Sequence, residues 1–144
     1  MVPAPQRLVP VAYVVTVPSE PSSPALPVTS GPFGAGQVWA GRYTCPQGPT
    51  ELSLIVLEAR DYQVRALFDF FHAPSGAKGS YLVSGQLNRK TGRFRLRPEA
   101  WVVQPHGYVM VGLAGAVVGG GTRLSGRITD PGCGAFEVEL QARD

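Results

Sequence analysis

The chain has 144 residues, a formal net charge of +3 and a charged fraction of 16%. It is long enough to bury one core of its own and too apolar for a disordered chain. No apolar run approaches the roughly 20 residues of a membrane-crossing helix, and so mild a charge does not by itself argue for nucleic acid. Eighteen glycines and fourteen prolines favour short strands and tight turns over helices.

The two punctuating residues divide the chain. Eight of the fourteen prolines lie in residues 1–32, whereas every glycine follows residue 30. Residues 1–35 therefore read as a proline-rich extended arm or linker, and residues 36–144 as a folded domain. The opening Met1-Val-Pro-Ala-Pro-Gln-Arg-Leu8 has neither the basic start nor the apolar centre of a signal peptide. Within the arm, Leu8–Val17 is β-branched enough to add a strand to a sheet edge of a neighbouring subunit.

From residue 38 the chain alternates. Val38–Cys45 reads as a first strand and Gln47-Gly48-Pro49 as a turn. Thr50–Leu57 follows, with Leu52, Leu54 and Val56 on one face. After a turn at Arg60-Asp61, Val64, Ala66, Phe68 and Phe70 point one way, and Arg65 and Asp69 the other. Pro74–Gly79 is a loop, Ser80–Leu87 a strand, and Asn88–Gly92 a hairpin loop. Arg93–Arg97 keeps strict period two, with Phe94 and Leu96 inward. Ala100–Gln104 reads as irregular and Tyr108–Val118 as a strand. Gly119–Gly121 is a turn and Leu124–Ile128 a strand. Asp130–Gly134 turns the chain into a last strand with Phe136, Val138 and Leu140 inward.

About eight short strands with no amphipathic helix between them predict an all-β domain of antiparallel neighbours. An up-and-down meander barrel removes the exposed edges; a two-sheet sandwich is the alternative. Phe68, Phe70, Phe94 and Phe136 are expected to fill so small an interior. In a closed even-stranded meander the first and last strands are neighbours. Cys45 ends one and Cys133 precedes the other, so the pair is expected to form a disulfide across the closing seam; two separate buried thiols are the alternative. A disulfide favours an extracytoplasmic or extracellular setting, against the absence of a signal peptide.

Residues for catalysis are sparse. His72 and His106 read as solvated loop histidines, and Asp69 near His72 does not complete a metal-ligand spacing. No nucleophile elbow, P-loop or dinucleotide fingerprint occurs. Glu137 and Glu139 share the outward face of the last strand, where Glu137 is expected opposite Arg127 as an ion pair rather than as a glycosidase carboxylate. Two binding candidates remain. Arg93, Arg95 and Arg97 form an outward ladder beside Arg89 and Lys90, suited to an anionic surface or glycan, with no stacking aromatics for nucleic acid. Trp101, Gln104, His106 and Tyr108 cluster around Pro98 and Pro105, either as a binding loop or as a plug of one barrel end.

The segments Gly41-Arg-Tyr-Thr-Cys45-Pro-Gln47-Gly48-Pro-Thr50-Glu-Leu52-Ser-Leu54, Ala66–Phe70, Trp101-Val-Val-Gln104-Pro105-His-Gly107-Tyr108-Val-Met110 and Leu124-Ser-Gly126, with Cys133, resemble a small all-β module. It occurs at the ends of multidomain bacterial proteins, some with kinase or caspase-like domains. The resemblance spans about residues 38–138, carries no established activity and implies an accessory role.

The residues thus point to a non-enzymatic interaction module without cofactor or metal. Its barrel end and arm would contact a protein partner or like subunits. A structural subunit of a virion or surface filament and a calycin-like small-ligand binder are the alternatives.

Overall fold

The computed structural model describes residues 32–141. The expected arm, with its Leu8–Val17 stretch, lies outside them apart from its last few residues. Eight strands follow in chain order: β1 (Val38–Cys45), β2 (Gly48–Arg60), β3 (Gln63–His72), β4 (Ala77–Leu87), β5 (Arg93–Val103), β6 (Leu113–Val118), β7 (Arg123–Ile128) and β8 (Ala135–Leu140). Each pairs antiparallel with its successor, and β1 pairs with β8 to close a barrel. The fold is therefore the meander barrel and not the sandwich. No helix of the described residues is long and apolar enough to cross a membrane.

Period-two sequence drives this closure. Along β3 the inward Val64, Ala66, Phe68 and Phe70 are buried while Gln63, Arg65 and Asp69 are exposed. The four phenylalanines expected inside are all buried, joined by Trp39, Tyr43 and Tyr81. Phe68 stacks on Tyr81 with ring centroids 4.5 Å apart. Such rings bury large areas and carry much of the hydrophobic stabilisation.

Tight closure needs inward positions without side chains. Gly41, Gly85, Gly115 and Gly126 stand in the inward register of their strands. A Cβ at Gly85 would lie 1.6 Å from the carbonyl oxygen of Arg95, and one at Gly41 1.9 Å from that of Glu137. The sheet can coil this sharply only where a strand brings no Cβ.

One end of the barrel holds the β2–β3, β4–β5 and β6–β7 hairpins. Phe33, ahead of β1, is buried there and packs on Trp39 and Phe94, both at 5.8 Å. Gln37 fixes this entry: its side chain donates to the Pro32 carbonyl and accepts from Gly34 N–H and Trp39 Nε1–H. The β2–β3 turn places Asp61 and Tyr62 at φ 53° and 66°, the positive pair of a two-residue hairpin whose twist matches its strands.

Three expectations are corrected. β5 continues through the stretch read as irregular. Two bulges, in which Glu99 and Val102 are extra residues against β4, break the period-two pattern and hide the strand. The expected strand Tyr108–Val118 begins only at Leu113; residues 104–112 form a loop instead. Glu137 stands opposite Ser125, and Arg127 opposite Ala135. The ion pair of Glu137 is with Arg123, at 3.0 Å, because the β7–β8 connection is longer than a tight turn and shifts the register by two residues.

Candidate functional site

The second end of the barrel holds the β1–β2, β3–β4, β5–β6 and β7–β8 connections. Cys45 and Cys133 meet there in a disulfide, 88 residues apart in sequence. The bridge spans the β1–β8 seam, as expected, and the alternative of two separate thiols is set aside.

Residues 104–112 lie across this end. Tyr81, buried on β4, holds them: its hydroxyl donates to the Val111 carbonyl at 2.7 Å and accepts from the Val111 N–H at 2.9 Å. Burial pushes the Tyr81 phenol well above its ordinary range. It does the same to Tyr43, with Tyr108 adding to the rise. Tyr108 stacks on Phe70 at 5.3 Å. Trp101 packs on Phe70 and Tyr81, at 6.3 and 5.2 Å.

The four candidates of this region therefore divide. Trp101 and Tyr108 are half-buried against the core, whereas Gln104 and His106 are exposed on the loop. Val102, Val103 and Val109 are exposed beside them.

His72 corrects another expectation. It is not a solvated loop residue but the buried last residue of β3, in the inward register of Phe68 and Phe70. Its Nε2 lies 2.9 Å from the Gln47 carbonyl, so it carries the proton. Its Nδ1 lies 2.6 Å from Ser75 Oγ, whose hydroxyl is also 3.3 Å from the His72 carbonyl. The ring ties the β3–β4 turn to the β1–β2 turn. Among the described residues no group of three or more His, Cys, Asp or Glu is arranged to hold a metal.

The arginine candidates stay together. Arg93, Arg95 and Arg97 are all exposed on β5, with successive side chains about 6.8 Å apart along the strand. Their cross-strand neighbours carry no charge: Ala116 and Ala114 on β6, and Gln86 and Ser84 on β4. Two other arginines have carboxylate partners. Arg65 reaches Glu58 at 3.8 Å and Glu99 at 3.9 Å, and Arg123 reaches Glu137. The ladder has none among the described residues.

No protein-family model, curated protein or solved structure matches the chain.

A shallow trough runs along each side of the ladder. One, of about 980 Å³, has Gly85 on its floor and Gln63, Arg65, Ser84 and Gln86 along it. The other, of about 650 Å³, is floored by Ala114, Gly115 and Ala116 and bounded on its far side by Arg127. Arg127 shares a cross-strand row with Arg95 through Ala114, two strand spacings or roughly 10 Å away. The contribution of β4, β6 and β7 to this face was not legible in the sequence, which gives strand faces but not which residues stand opposite.

Proposed function

We propose that this domain is a non-enzymatic interaction module that binds with its outside. The observation that supports this reading is the filled interior. Phe33 closes one mouth, Tyr108 and Val111 lie over the other, and aromatic rings occupy the space between. A calycin-like binder needs an empty lumen, and this barrel is packed like a core. What is left for recognition is surface: the end carrying Gln104 and His106, and the arginine face. A loop braced by Tyr81 and Thr129 loses little freedom on binding, which lowers the entropic cost of recognition. The disulfide also supports an oxidising, extracytoplasmic setting.

The reading is tested by titrating methyl-labelled protein with a small apolar probe such as a long-chain fatty acid, alongside peptide and glycan arrays. The inward methyls of Leu52, Leu96 and Leu113 are expected to stay unshifted, and array ligands to perturb only outward residues. Stoichiometric probe binding with shifts of the inward methyls would restore the calycin-like reading.

A further inference from the structure

We infer that the β4–β5–β6–β7 face is a site for an anionic polysaccharide, one bearing carboxylate or sulfate groups, laid along the arginine ladder. The inference rests on the surface-binding reading and names its ligand class. Three observations carry it.

The first is uncompensated charge. Three arginines at alternate positions of one strand repel one another. On β3 and β7 the charges of Arg65 and Arg123 are relieved by glutamate at 3.0 to 3.9 Å. Here alanine, glutamine and serine occupy the cross-strand positions. The guanidinium forks are thus free to receive anionic groups, and their planar geometry suits bidentate contact with carboxylate or sulfate.

The second is shape. The ladder is a ridge between two open troughs. Arg127 lines one together with Asp130, and the other runs to Arg65, which is held by Glu58 and Glu99 and leaves Arg127 as the added free cation among the described residues of this face. The cations follow the strand and the row across it, a layout for an extended polymer rather than a single small anion.

The third is the chemistry between the cations. Gln63, Gln86 and Asn88 line one trough, where the Ser84 hydroxyl already donates to Glu99, and Ser125 and Thr129 line the other, giving donors and acceptors for sugar hydroxyls. The only aromatic in either lining is Phe94, which is buried inward. Single-stranded nucleic acid binding leans on exposed rings for stacking, and this face presents none.

The test uses the full chain and a heparin-derived dodecasaccharide in calorimetric titration at 50 and 200 mM salt, with a twelve-residue oligothymidylate beside it. Binding of the saccharide is expected at 50 mM salt, weakening steeply at 200 mM as surface charges are screened. Arg95→Glu should weaken it more than tenfold and Arg95→Gln about threefold to tenfold. Arg42→Glu makes the same charge change on β1, between Glu51 and Glu137, and should change affinity less than twofold. Three results would each overturn the inference: no saccharide binding at 50 mM salt, equal losses in Arg42→Glu and Arg95→Glu, or tighter binding of the oligothymidylate. The surface-binding reading would survive any of them, because the interior titration measures it separately.

Discussion

The disulfide offers the most quantitative handle on this barrel. Cys45 and Cys133 are 88 residues apart in sequence. In the chain-entropy description, a loop that long costs the unfolded chain about 4.6 kcal/mol of freedom at 25 °C. Replacing both residues with alanine removes that restriction and adds no buried hydroxyl. With unfolding entropy of about 2.1 cal/mol/K per residue over roughly 110 residues, the melting midpoint should fall by about 20 °C. Guanidinium unfolding of the double variant measures the free energy directly. Its slope should rise as well, because an unbridged chain exposes more surface when unfolded. A loss below about 1 kcal/mol with an unchanged slope would refute the reasoning. It would mean that the unfolded chain already keeps β1 and β8 close without the bridge.

Two other perturbations probe the interior. The Tyr43 and Tyr81 phenols are raised by burial, so the folded state resists their ionisation. Their contribution is complete below the ordinary phenol value near 10 and is lost as pH rises through it towards the folded values. Stability should hold steady up to about pH 10 and then drop by roughly 2.7 kcal/mol per pH unit for the pair. Equal urea midpoints at pH 9 and pH 11 would contradict this. Gly85→Ala sets a Cβ against the Arg95 carbonyl and should cost at least about 2–3 kcal/mol through backbone displacement. Gly120→Ala, at φ 71° with nothing nearby, should cost only the left-handed backbone strain of about 1–2 kcal/mol. Thermal denaturation separates the two, and similar losses would remove steric closure as the reason for Gly85.

Strand faces were legible because polar and apolar residues alternate so regularly in β3, in the first half of β5 and in β8. The even count of strands implied the seam, and the cysteines at its two sides fitted a bridge across it. What escaped was whatever depends on an interruption. The bulges at Glu99 and Val102 desynchronise β5 from its own pattern, so its second half looked like loop. His72 was misjudged because proline and glycine just after it suggested solvent, while the inward parity of Phe68 and Phe70 already carried it into the barrel. The arginine ladder was visible from three residues alone. Its lack of ion pairs was not, since that depends on which of two possible parities β4 and β6 adopt against β5. Phe33 carried no periodic signal at all: a single ring ahead of the first strand becomes a stopper only once the mouth exists.

The seam between β1 and β8 also sets an order of events during synthesis. A ribosome releases β1 first and β8 last, so the outer edge of β1 has no partner until nearly the whole domain has emerged. Until then the sheet is open, with unpaired backbone groups along β1 that invite pairing with other chains. Contacts of such long sequence separation also slow closure. Oxidation meets no such ambiguity. The chain has two cysteines, so the bridge has a single intramolecular pairing to find. Once formed, it keeps the last strand beside the first through any later local opening.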